Sequence, residues 1–130
     1  MSENKYKKGL EIRREVLGDE YVDKSINSAT DFNRPLQDML TENCWGEVWS
    51  RDGISRKTRS LITIATLAAL KASQELKVHV QGALNNGCSV AEIQEVLLHS
   101  TVYCGAPSGI EAFRAAKEVI DKHEFKSASR

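Results

Sequence analysis

Among 130 residues there are only two prolines, three cysteines and 6% aromatics. So little proline, beside 41% hydrophobic residues, excludes a collagen-like or disordered chain. The cysteines, Cys44, Cys88 and Cys104, are odd in number and far apart, with no CxxC pair. That excludes a disulfide framework and a dithiol redox motif. Net charge is also missing: 18 basic residues balance 18 acidic ones. A neutral chain has no general electrostatic grip on nucleic acid or an anionic membrane, and no charge repulsion to oppose self-association. The longest apolar run, Leu61 to Leu70, is broken by Thr63 and Thr66 and falls short of the ~20 residues needed to cross a bilayer. The polar start, Met1 to Lys8, has no apolar signal core, so a reducing, cytoplasmic location is expected. Neither a P-loop nor GxGxxG is present.

What the chain does contain is helical periodicity. An all-α fold of six or seven helices is expected, in one domain over residues 1–130 with flexible tails at 1–4 and 125–130. The first helix spans Lys5 to Leu17 and ends at Gly18, and a short one follows from Asp19 to Asn27. Asp31 or Asn33 caps a third that tolerates Pro35 in its first turn and carries Leu36, Met39, Leu40, Trp45, Val48 and Trp49. After the Asp52-Gly53 turn, Arg56 to Ala72 is apolar on nearly every side, as in a helix central to a protein or an assembly. Another spans Gln74 to Asn85. Ser89–Glu92 and Ser108–Glu111 read as capping boxes opening helices to Tyr103 and His123.

Four clusters hold residues with useful chemistry. Glu75 and His79 share a helix face at i, i+4. They fit an acid–base pair in which the carboxylate orients the imidazole and raises its proton affinity. Spacing alone fits a surface ion pair better. Trp45, Glu47, Trp49 and Arg51 fit a pocket wall with a guanidinium for a carboxylate, although by themselves they fit two core tryptophans beside a solvated ion pair better. Arg56, Lys57 and Arg59 oppose the dipole of the helix they open, which points to an anion, an acidic partner or a solvated turn. Tyr103-Cys104-Gly105 ends a helix, where Cys104 reads as a buried structural thiol before a reactive one. A zinc site would have to draw on Cys104, His99 and His79, which lack metal-ligand spacing, so no metal is expected.

Taken in order, Trp45-Gly-Glu47-Val-Trp49-Ser-Arg51, Gly53 through Arg59 to Ala65, Glu75-Leu76 with His79, Asn85-Asn86-Gly87, Glu92-Ile93 with Glu95 to Leu98, and Tyr103-Cys104-Gly105 with Pro107 form a specific succession. With Arg13-Arg14, Val16 to Asp19, Val22 to Ser25 and Asp31 to Asn33, it resembles the 4-carboxymuconolactone decarboxylases from about Tyr6 to Ala116. The resemblance implies an alkylhydroperoxidase-D-like helical fold, usually a homohexamer. It also implies cofactor-independent decarboxylation of 4-carboxymuconolactone, a lactone dicarboxylate, to 3-oxoadipate enol-lactone in aromatic catabolism. His79, Glu47 and Glu75 then become catalytic candidates, with Arg51, Arg59, Trp45, Trp49 and Tyr103 at the substrate. Relatives with peroxidase activity carry CxxCxxxH; with its histidine on His79, Ala72 and Glu75 occupy the cysteine positions, which disfavours a thiol peroxidase. Departures from the pattern are Asp52 for a common proline, Cys44 for a small residue, and Arg114 for a histidine after Phe113. The alternatives are an enzyme acting on a related lactone or keto acid, and a non-catalytic oligomeric binding module.

Overall fold

A computed structural model describes residues 2–128. It forms seven α-helices and one π-helical segment, with no strand among the described residues. The helices are α1 (Ser2–Leu17), α2 (Asp19–Asn27), α3 (Arg34–Met39), α4 (Arg56–Ala69), α5 (Ser73–Asn85), α6 (Val90–Cys104) and α7 (Ala106–Ala128); the π segment, Leu40–Val48, continues α3. The chain divides into two compact units, Met1–Arg56 and Lys57–Arg130. Of the expected flexible tails, residues 2–4 lie in α1 and 125–128 in α7, while 1, 129 and 130 fall outside the described residues.

In the first unit, α1 buries Gly9, Ile12, Arg13, Val16 and Leu17, the i, i+3, i+4, i+7 and i+8 positions of one face. Gly18 ends it at φ 91°, a conformation that side chains with a Cβ resist. The π segment lies backbone to backbone on α1. A Cβ at Gly9 would collide with the Thr41 carbonyl oxygen and come 2.7 Å from the Gly46 nitrogen. The helix expected to run from Asn33 to Trp49 is therefore not one regular element. Its second half widens to i→i+5 bonding, with the Trp49 N–H on the Cys44 carbonyl at 3.0 Å. Asn33 does not cap α3 by its side chain; its Oδ1 accepts instead from the Thr30 backbone N–H at 2.7 Å.

The core of the second unit joins Ile64 and Ala68 of α4, Leu76, Val80 and Ala83 of α5, Ile93 and Leu97 of α6, and Ala112, Ala115 and Ala116 of α7. The small residues of α7 let that helix sit close against its neighbours. Ser89 and Glu92 form the expected capping box, which stabilises α6 by roughly 1 kcal/mol. The second expected box is absent. Pro107 lies in the first turn of α7, so Ser108 is already inside the helix and buried, donating to the Ala68 carbonyl at 2.6 Å. Glu111 accepts from the Ser73 hydroxyl at 3.2 Å. Nor is α4 buried on every side: Ile62 is 52% exposed, Leu70 in the turn just after the helix is 69% exposed, and α6 exposes Leu98, Val102 and Tyr103. No helix among the described residues is long and apolar enough to cross a membrane.

Candidate active site

In the first unit the π segment brings Trp45 and Trp49 together. Their rings stack at 4.7 Å and both are buried. Arg51 follows just beyond the helix end, its backbone N–H on the Val48 carbonyl at 3.1 Å. Trp49 and Arg51 line one cleft of about 400 Å³ together with Lys8, Ile12, Ser50 and Arg56, a volume within the ~300–1,000 Å³ range of small-molecule pockets. Glu11, Glu15 and Asp52 face the same cleft, so its positive and negative side chains largely offset each other. Trp45 does not line it and backs Trp49 instead. Glu47, expected beside Arg51, is exposed and its carboxylate lies 3.7 Å from the Lys5 ammonium.

Arg13, which is not among the residues expected at the site, is 4% exposed in this unit. It donates to the Thr41 hydroxyl at 3.2 Å, and burial lowers its pKa despite nearby Tyr21, Cys44 and Tyr6. The signal was present: Arg13 occupies the apolar stripe of α1, between Ile12 and Val16. Cys44 is half-buried beside it, and burial pushes the thiol up while the Arg13 charge pulls it down by less.

In the second unit, His79 sits one turn after Glu75 on α5, half-buried, whereas Glu75 is exposed. Burial pushes the imidazole down from 6.5 to about 4, and the Glu75 charge offsets only part of that. The expected net rise in proton affinity is thus reversed, because desolvation of the imidazolium outweighs a carboxylate that water screens. His79 is neutral at pH 7, as a hydrogen-bond donor or acceptor. Since the unfolded histidine titrates near ~6.5, acidification from there to about pH 4 protonates the unfolded chain first. Stability is then fully present above that range and falls within it, by at most about 3 kcal/mol at its lower end. Urea midpoints measured across the window should fall on acidification, and less steeply in a His79→Gln variant.

Arg59 is half-buried on α4. The other two cations of that helix start are held by carboxylates: Arg56 pairs with Glu15 at 3.3 Å and Lys57 with Glu92 at 3.1 Å. Their conflict with the helix dipole is relieved by internal acids and calls for no outside anion. Tyr103 is 78% exposed and packs against His99 at 5.2 Å. Cys104, expected buried, is exposed at the end of α6, whereas Cys88 is buried with its thiol on the Lys57 carbonyl at 3.5 Å. Arg114 and Phe113 border an apolar cavity of about 420 Å³ between α6 and α7. No group of three or more metal-ligating side chains occurs among the described residues.

Comparison with known proteins gives a family and three relatives. The profile of the "Carboxymuconolactone decarboxylase family" matches residues 34–118. A nitrosuccinic acid decarboxylase of Metarhizium robertsii is 45% identical over 125 residues, covering 93% of this chain and 87% of that protein. A 4-carboxymuconolactone decarboxylase of Acinetobacter baylyi is also 45% identical, over 118 residues, covering 91% of this chain and 88% of that one. An uncharacterised protein of Paracoccus denitrificans is 33% identical over 89 residues, covering 67% of this chain and 66% of its own.

Proposed function

This chain belongs to the carboxymuconolactone decarboxylase family, and we propose that it is a carboxy-lyase that converts 4-carboxymuconolactone to 3-oxoadipate enol-lactone without a cofactor. The observation that carries this reading is 45% identity over 91% of the chain to a decarboxylase of that substrate. The equal identity to a nitrosuccinic acid decarboxylase favours a second reading, loss of CO2 from nitrosuccinate.

The lactone supplies its own electron sink. Its departing carboxylate sits on a ring carbon conjugated through a double bond to the lactone carbonyl, so the electron pair of the broken C–C bond runs to that oxygen. The protein has to stabilise this developing charge and deliver a proton to carbon. We assign His79 as the hydrogen-bond donor to the oxyanion or the proton source, oriented by Glu75, with Glu47 second for proton handling. A positioned donor of this kind contributes ~2.7–4 kcal/mol. A neutral imidazole suits the donor role, because it needs no protonation at working pH.

A guanidinium clamped on the departing carboxylate would stabilise the ground state and oppose the reaction. Arg51, with Arg59 as the further candidate, is therefore assigned to the carboxylate that stays. Trp49, backed by Trp45, excludes water beside it, and Tyr103 is a further contact for the substrate. Arg51→Ala should raise KM at least ~10-fold with a smaller change in kcat, measured by initial rates. Unchanged kinetics would remove the anchor role. The resemblance to the family is the ground for proposing a cytoplasmic homohexamer, and the exposed apolar Leu98 and Val102 of α6 are candidate subunit contacts. The test of the activity is CO2 release and enol-lactone formation from the lactone; a folded protein with no turnover contradicts it.

A further inference from the structure

4-Carboxymuconolactone is an unsaturated lactone and nitrosuccinate is a nitroalkane, yet the two share one frame around the carbon that loses CO2. That carbon carries the departing carboxylate, a CH2–COO⁻ arm, and a group able to accept an electron pair. The two carboxylates and the carbons between them are succinate; the acceptor is the conjugated lactone in one case and the nitro group in the other. We infer that this chain recognises the succinate frame itself, and that its substrates are succinates bearing an electron-accepting group on the carbon that loses CO2. This deepens the decarboxylase reading above and rests on it.

The chain's own groups fit that division of labour. In the first unit, the Arg51 cleft offers cations beside the apolar surfaces of Ile12 and Trp49, a combination suited to a short CH2–COO⁻ arm. Glu11, Glu15 and Asp52 offset much of its positive charge. By count those three carboxylates balance Lys8, Arg51 and Arg56, so the cleft carries no excess charge and takes a retained carboxylate by direct pairing with a cation rather than by a general positive field. In the second unit, the neutral His79 contributes a hydrogen bond and no fixed positive charge. The electron pair must then be taken up by the substrate, so a succinate without an acceptor binds and does not react.

The steps balance for both acceptors. In nitrosuccinate the bond between the carboxyl carbon and the nitro-bearing carbon breaks, its electron pair enters the nitro group, CO2 leaves, and one proton then adds to that carbon to give 3-nitropropanoate. In the lactone the pair moves through the ring double bond to the carbonyl oxygen, CO2 leaves, and one proton adds at the carbon beside that carbonyl. Neither sequence needs an oxidant or a reductant.

The experiment compares 4-carboxymuconolactone, 2-nitrosuccinate and 2-nitropropanoate as substrates, each corrected for its uncatalysed rate, and titrates succinate and glutarate as inhibitors and in calorimetry. Expected are turnover of 2-nitrosuccinate, at least ~10²-fold lower kcat/KM for 2-nitropropanoate, which lacks the second carboxylate, and competitive inhibition by succinate at least ~10-fold stronger than by glutarate. Equal turnover of the two nitro acids, or no binding of succinate, overturns the inference. Turnover of the nitro diacid but not the lactone sinks the lactone reading and keeps the frame. Turnover of the lactone without competition by succinate does the reverse.

Discussion

His79→Gln should lower kcat on the proton-accepting substrate by ~10²–10⁴-fold while KM changes only a few-fold, because a positioned donor acts on charge that develops after binding. Glutamine keeps polarity and approximate size at a half-buried position, so a lost core contact does not explain the loss. The pH profile separates this role from a structural one. Burial holds the imidazole at about 4, so the wild-type rate should pass through pH 6.5 without a His79 inflection and decline only toward that lower value. An inflection near 6.5 that disappears in the variant would mean that the imidazolium does the work and that the site hydrates His79 when substrate binds. Glu75→Gln should cost less than His79→Gln, since the exposed carboxylate acts through the ring. Full kcat in the His79 variant would remove the residue from the chemistry.

Gly9→Ala should destabilise the protein by about 3 kcal/mol or more, among the larger effects expected of a single methyl group. The new Cβ meets backbone on the π segment, the Thr41 carbonyl and the Gly46 nitrogen, and neither can rotate away. Gly46 reciprocates, since a Cβ there would strike the Lys5 carbonyl of α1. Separating the two elements would also break the hydrogen bond from the Arg13 guanidinium to Thr41, while rehydration of that charge returns part of its desolvation cost. Gly53→Ala is the control. It lies at an open turn with no atom within 4 Å of the added methyl, and the change should fall within about 0.5 kcal/mol. Denaturant midpoints of the two variants measure the difference. Equal midpoints would mean that α1 and the π segment have room that the close approach of Gly9 denies.

The helices were legible because their signals are local. Gly18, the Ser89–Glu92 box and the apolar spacing of α5 and α6 each fix an end or a face through neighbours in sequence. The failures share a different cause. Ser108 looked like a cap because its spacing to Glu111 is right, but Pro107 let α7 begin earlier and tertiary partners claimed both side chains. The π segment arises where two glycines let α1 and its neighbour touch backbone to backbone, a long-range condition that helical periodicity does not encode.

Motif order names the candidate site residues, and it does not carry their electrostatics. Spacing places Glu75 beside His79 and gives the sign of that one interaction. Desolvation, which decides the net direction, comes from everything packed around the ring. The basic opening of α4 shows the same limit: for Arg56 and Lys57 the apparent call for an outside anion is answered by Glu15, distant in sequence, and by Glu92. Arg13 was the reverse case, a charge standing openly on an apolar stripe.

The most direct measurement is turnover of 4-carboxymuconolactone by purified wild type beside the His79→Gln variant, followed as CO2 released and enol-lactone formed. Stoichiometric CO2 and enol-lactone from the wild type, with a loss of ~10²-fold or more in the folded variant, is the expected result. A folded wild type that releases no CO2 from the lactone, or a variant that matches it, would contradict the proposed chemistry.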